Sequence, residues 1–371
     1  MSRVLLVPFP PAGHAEPMAV LGDRLRVDGH EVTVFAESPQ TRWGLGRPVP
    51  PQLYASGDSN TLYRHLFLGD VAGMARDVAD LAAACGAELI VADVMMPGGA
   101  LAAELRNLPF VSLSCCPVPT LSAYRTFIAA HTVAAFDPAS TRTALGLPAG
   151  GRNLLGLTSA TLHLIPTTDA VAGHPELPAE VALVGPLVAE PGPRREPDGP
   201  PVVVVAASTH TLESLGARSF VQERYLAAAV AALGGLDVTG LVTRQPQGTP
   251  PANVRFLGAA PHDALFDAAA AVVTHGGWGT VSKALVRGLP MVLVPLSGDQ
   301  PYIAGRCADL GLGLALDAET VTAAGLRDAV RAVVEEPRFR KAAAELAAEL
   351  RAAAPAATAS ALVTSMPASE G

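Results

Sequence analysis

Residues 270–300 carry groups suited to an anion with hydroxyls beside it. An apolar strand at 271–274 runs into His275-Gly276-Gly277-Trp278-Gly279-Thr280, where a helix is expected to begin. The first amides of a helix have no intrahelical acceptor and carry the positive end of its dipole. Glycines let that backbone approach an anion closely, so the turn suits a pyrophosphate. His275 and the Thr280 hydroxyl add donors. A second apolar strand, 291–295, is followed by Asp299-Gln300, placed to accept and donate hydrogen bonds at a polyol. Phosphate on one side and hydroxyls on the other describe a nucleotide sugar. The alternative is an ordinary strand-to-helix turn in an α/β sheet.

A second group of residues lies near the start of the chain. Pro10-Pro11-Ala12-Gly13-His14-Ala15-Glu16-Pro17 follows the first expected strand and leads into the first helix. His14 then sits at or near a helix N-terminus, where the dipole favours a neutral ring, as a general base requires. A histidine that only caps or packs against the loop would look the same. Asp93 ends the apolar run 89–93, and a carboxylate there can face a ligand or cap a helix over 97–105. Thr209 follows the apolar strand 202–206 and reads as a phosphate contact or a helix cap.

These residues need strands and helices to hold them. The first half reads as strands at 3–9, 31–36, 87–93, 110–114 and 161–166, with a helix at 15–28 that puts Met18, Leu21 and Leu25 on one face. Residues 191–201 are rich in Pro, Gly and charge and read as a linker. The pattern restarts with strands at 202–206, 238–243 and 254–257 and a helix at 220–233, and two alanine-rich helices are expected at 323–335 and 338–353. The tail, 354–371, is small and polar and is expected to fray. The expectation is α/β: domains at 1–190 and 202–353, each a doubly wound parallel sheet, facing each other across a ligand cleft.

Composition narrows the function classes. The chain has 371 residues, half of them hydrophobic, and a net charge of −8. No basic block suggests nucleic acid or an anionic membrane, and no apolar run is long enough to span a bilayer. The four cysteines, Cys85, Cys115, Cys116 and Cys307, form no CxxC pair, so neither a zinc site nor a disulfide framework is expected. Reduced thiols in the cytoplasm are the default.

The loop at 275–280, the Gly288-Leu289-Pro290 turn, the apolar strand and Asp299-Gln300 at this spacing resemble the donor loop of family 1 glycosyltransferases. That resemblance implies the two-domain GT-B fold, with the acceptor on the N-terminal domain and the nucleotide sugar mainly on the C-terminal one. Gly13-His14 with Pro17 matches the family motif whose histidine deprotonates the acceptor hydroxyl, and Asp93 matches the aspartate that steadies it. The implied activity is inverting transfer from a TDP-deoxysugar or UDP-hexose to a lipophilic aglycone such as a polyketide. Donor contacts would come from Thr209, His275, Gly276, Gly277, Gly279, Thr280, Asp299 and Gln300. No metal or other cofactor is expected, because no carboxylate cluster of DxD type is present.

Three departures from the family pattern stand out. Lys283 replaces the glutamate that binds ribose hydroxyls in many relatives; it is one of only two lysines, and either pairs with a phosphate or is a solvated helix lysine. Ser208 replaces a glycine beside Thr209, and the run Phe256 to His262 lacks the usual aromatic at the nucleobase. An epimerase or hydrolase of the same fold, or a catalytically silent chain that binds a ligand or partner, therefore stays open. Trp43, Tyr54, Tyr63, His65, Phe67, Tyr124, Phe127 and His131 could line an acceptor site or simply be core. The oligomeric state is open, a homodimer included.

Overall fold

The computed structural model describes residues 1–9, 12–35, 70–114, 138–151, 158–195, 198–207, 219–246, 248–258, 260–296 and 298–366. The chain forms two compact units. One is Met1–Leu187 together with Ala354–Gly371, and the other is Val188–Ala353.

In the first unit the strands are β1 (Arg3–Val7), β2 (Glu31–Val34), β3 (Leu89–Asp93), β4 (Phe110–Leu113), β5 (Leu162–Ile165) and β6 (Val181–Leu183). Among the described residues they form one parallel sheet in the order β2-β1-β3-β4-β5-β6. The second unit holds β7 (Val202–Ala206), β8 (Thr239–Val242), β9 (Val254–Phe256), β10 (Ala271–Thr274), β11 (Met291–Leu293) and β12 (Gly313–Ala315). Its parallel order is β12-β11-β10-β7-β8-β9. In each sheet the chain works outward on one side and then crosses to the other. The reversal falls between β1 and β3 in the first unit and between β7 and β10 in the second. Open α/β sheets bind ligands outside the carboxyl ends of their strands at such a point.

The sequence explains the central strands. Both faces of a parallel sheet are covered by crossover helices, so the strands read as unbroken apolar runs. Val-Val-Val-Val-Ala in β7 and Ala-Val-Val-Thr in β10 are buried throughout. Helix Ala12–Val27 packs Met18, Leu21 and Leu25 against Val4, Leu6 and Val91. Helix Pro97–Leu105 comes unusually close to β3: a Cβ on Gly99 would lie 2.5 Å from that of Ala92, so only glycine allows the approach.

The described elements depart from the sequence expectation at the chain's end. Residues 355–364 are not frayed but form helix Pro355–Thr364, which packs onto helix Ala12–Val27 with Ala359 and Val363 in the core. Ser360 donates to Asp28 at 2.6 Å and fixes the contact. Small side chains, read as a lack of structure, are what let two helices pack closely. The boundary moves too, because residues 188–201 belong with the second unit, where the Arg195 amide donates to the Asp267 carbonyl at 2.9 Å. Among the described residues, no helix is long and apolar enough to cross a membrane. Of the cysteines, Cys85 and Cys307 are described and free; burial pushes the Cys307 thiol up to about 12, which leaves it inert.

A buried polar network links β4 and β5. Ser112 and His163 are cross-strand partners, with Ser112 Oγ 2.7 Å from His163 Nδ1. Ser112 Oγ also accepts from the Ser159 amide at 2.8 Å, so its own hydrogen is left for the imidazole. Burial lowers the His163 pKa from 6.5 to about 4. The unfolded chain therefore takes up a proton on this residue, as pH falls through 6.5, that the folded chain refuses until about 4. This contribution to stability is complete above pH 6.5 and is lost progressively as pH falls toward 4. Thermal unfolding should show a drop on the order of 1–3 kcal/mol between pH 7 and pH 4.5, and His163→Gln should flatten it. A slope unchanged in that variant would assign the acid sensitivity elsewhere.

Candidate active site

At the reversal in the first unit, β1 and β3 end side by side, with Val7 in register with Ala92. Asp93 is therefore the first residue past the end of its neighbour, and its side chain is 1% exposed. It does not cap helix Pro97–Leu105, whose N-cap position is Met96. Instead one carboxylate oxygen accepts from the Met95 amide at 2.8 Å, closing the turn after β3. The other lies 2.9 Å from Nδ1 of His14.

His14 is the third residue of helix Ala12–Val27, which begins after the β1 loop. Pro17, inside that helix, has no N–H for the Gly13 carbonyl, so the first turn is held less by its own ladder than by side chains. The His14 ring meets Phe9 edge-on, with centroids 4.8 Å apart. Held from two sides, the imidazole directs Nδ1–H at Asp93, which makes Nε2 the basic nitrogen. At 20% exposure the side chain is reachable by a substrate, whereas its carboxylate partner is not. With this buried carboxylate behind it, the reachable imidazole can accept a proton and have the resulting charge balanced.

At the reversal in the second unit, β10 ends at Thr274 and the chain turns through His275, Gly276 and Gly277 into helix Trp278–Val286. Gly276 has φ +85°, in the left-handed region that glycine tolerates. The Thr274 hydroxyl accepts its amide at 3.2 Å. Gly277 is the N-cap, and its carbonyl takes the Thr280 and Val281 amides, both at 3.0 Å. The amides of the first turn, including that of Gly279, thus sit where a helix presents donors to an anion. A Cβ on Gly277 would fall 2.6 Å from Nε2 of His275, so the buried imidazole lies directly against that glycine. Thr280 is buried in the same turn.

Gln300 opens helix Gln300–Asp309, with Asp299 at its N-cap. The Gln300 side-chain oxygen accepts from the Leu296 amide at 2.8 Å and closes the loop after β11. The Gln300 backbone also lies beside Gly276, which brings Asp299-Gln300 to the glycine turn.

Lys283 is the informative departure. It is neither solvated nor isolated, with its side chain 13% exposed and Nζ 2.7 Å from Asp263 Oδ2. Arg287, one turn on, meets Asp263 at 3.1 Å and Asp267 at 2.7 Å. The four charges bind helix His262–Phe266 to helix Trp278–Val286. Gly279, Lys283 and Arg287 form one stripe at i, i+4 and i+8, so this network continues directly from the anion turn. Sequence reasoning missed Asp263 as the partner and also His262, whose Nε2 lies 3.3 Å from Thr243 Oγ1 and whose ring stacks on Phe266. Burial lowers its pKa to about 4, with Lys283 adding to the effect, so the ring is neutral at pH 7. Thr209, Ser208 and the aromatic candidates for the acceptor site lie outside the described residues.

Comparison with known proteins shows what the chain is similar to. Residues 229–364 match the family model of the erythromycin biosynthesis protein CIII-like C-terminal domain. The chain has the fold of GT-B glycosyltransferases. The crystal structure of the glycotransferase of kitacinnamycin aligns over 98% of both chains with a TM-score of 0.78 and 23% identity. Its relatives in sequence include bacterial natural-product glycosyltransferases. The 4'-demethylrebeccamycin synthase of Lentzea aerocolonigenes is 35% identical over 205 residues, 52% of this chain and 46% of that protein. The TDP-daunosamine transferase DnrS of Streptomyces peucetius is 33% identical over 177 residues, 46% of this chain and 41% of that protein. The matched stretch thus spans under half the length of each of these curated relatives.

Proposed function

We propose that this protein is an inverting glycosyltransferase. In this reading it moves a sugar from a nucleoside diphosphate, most simply a TDP-deoxysugar, to a hydroxyl of a lipophilic natural-product aglycone. The observation that carries the reading is the 2.9 Å bond between His14 and a carboxylate sealed from solvent. The acceptor O–H gives its proton to Nε2 of His14, while Asp93 balances the imidazolium. The acceptor oxygen bonds to the anomeric carbon as the bond to the diphosphate breaks, and the leaving group keeps the electron pair. Its charge falls on the amides at Gly277 and Gly279, with His275 and Thr280 beside them and Gly276 shaping the turn, as fixed electrostatic stabilisation. Asp299 and Gln300 face the sugar hydroxyls. No metal or other cofactor enters this scheme, and the protein works in the cytoplasm on two small molecules.

The relatives' names support the donor class, one of them specifying a TDP-sugar. A direct test is release of nucleoside diphosphate from a panel of TDP- and UDP-sugars, with and without polyketide aglycones. Release that requires the aglycone supports transfer. Equal release without it would make the protein a hydrolase or epimerase, and a panel that neither binds nor reacts would make it a silent binding protein.

Asp93→Asn probes the dyad separately. The amide preserves the shape but removes the charge behind the imidazole. It should lower kcat roughly 10²-fold or more with little change in nucleotide-sugar affinity. An unchanged kcat would reduce Asp93 to a turn residue.

A further inference from the structure

Gln222 is the fourth residue of helix Ser219–Leu233, and it is 0% exposed. Neither atom of its carboxamide has a hydrogen-bond partner among the described residues. Leaving buried amides unpaired costs stability, and native proteins keep few of them. Where a local rule is broken in this way, a functional demand is a physical candidate for the cause.

Its position can be fixed from its neighbours. Gln222, Tyr225, Leu226, Ala229 and Leu233 are all buried and share one face of the helix. The Tyr225 hydroxyl donates to the carbonyl of Ala206, the last residue of β7, at 3.2 Å. A crossover helix between parallel strands runs back along the sheet, so a residue nearer its start lies further past the strand's end. Gln222 is one turn nearer the start than Tyr225, and helical side chains lean further that way. Ala206 is in register with Thr274, so this edge is level with the His275-Gly277 turn. The adjacent Glu223 agrees, pairing at 3.5 Å with Arg244, two residues past the end of β8.

We propose that Gln222 is a donor-sugar ligand, its carboxamide pairing with hydroxyls of the sugar that is transferred. The inference rests on the nucleotide-sugar reading above and deepens it. The argument is one of chemical matching. A carboxamide offers a donor and an acceptor side by side, and a sugar hydroxyl can both accept and donate. Phosphate oxygens only accept, so they would leave the carboxamide oxygen unpaired, and the glycine turn already serves them. Sugar entry has to open the edge above the side chain, and pairing both amide atoms then recovers what their burial costs.

Gln222→Met tests this, because methionine keeps the shape and removes both polar atoms. The variant should unfold at the same temperature as the parent or higher. Its affinity for TDP and UDP should stay within about twofold, while Kd rises about tenfold for the best binder in a panel of TDP- and UDP-hexoses and deoxyhexoses. Unchanged nucleotide-sugar affinity would overturn the proposal and make the buried amide structural. Equal losses with and without the sugar would also overturn it, by placing Gln222 against the nucleotide. Should the methionine variant melt lower than the parent, Gln222→Asn, which withdraws the amide by one methylene, must show the same sugar-selective loss. A parent that binds no member of the panel refutes the proposed function itself, whereas a binding parent with indifferent variants refutes only the role of Gln222.

Discussion

Replacing His14 with alanine is expected to lower kcat by about 10²–10⁴-fold while Kd for the nucleotide sugar changes by no more than about twofold. The imidazole is braced by Asp93 and Phe9 in the first unit, and the donor groups lie in the second. Chemistry and donor affinity are therefore separable. Alanine also leaves the sealed Asp93 carboxylate without its ring partner, at a stability cost of roughly 1–3 kcal/mol. His14→Gln controls for this, since its amide can still donate to Asp93 but cannot act as a base. Single-turnover rates with saturating donor, together with melting curves, distinguish the two effects. Transfer at the parental rate in a folded His14→Gln protein would remove His14 as the base.

Gly277→Ala should weaken both the nucleotide sugar and the free nucleoside diphosphate by about 10–100-fold. The reason is not backbone strain, because φ −62° and ψ 134° are open to any residue. The added methyl would lie 2.6 Å from His275 Nε2, and the buried ring has to move out of the anion turn. Gly276→Ala makes a useful contrast. Space exists there, with the nearest atom, the Gln300 carbonyl oxygen, at 3.5 Å, but φ +85° strains any side chain. That variant should lose about 1–2 kcal/mol of stability. Calorimetric titration with TDP measures the first effect, and affinity equal to the parent's would mean His275 and Gly277 do not hold the diphosphate.

How much of this was legible depended on how local the signal was. β7 and β10 match their expected limits because a strand buried on both faces reads as a nearly unbroken apolar run. β6 and β12, three residues each, were missed, whereas the equally short β9 and β11 were expected. His14 and Asp93 stood out by position at strand and helix ends, although they are 79 residues apart. Lys283 was recognised as unusual, but its partner Asp263 is twenty residues away on another helix and no spacing rule connects them. Gln222 was missed, although the apolar stripe through Tyr225, Leu226, Ala229 and Leu233 could have placed it inside. A single polar residue on an otherwise greasy face was the available clue.

The return of the chain from the second unit to the first has a consequence for synthesis and for engineering. Helix Pro355–Thr364 completes a body whose opening strand was made some 350 residues earlier. During translation the second unit therefore has all its parts before the first does, and the first waits with the face of helix Ala12–Val27 uncovered. Anyone exchanging the second unit with that of a relative faces two junctions, near 187 and 353, and a graft joined at one of them alone would leave the first unit unfinished.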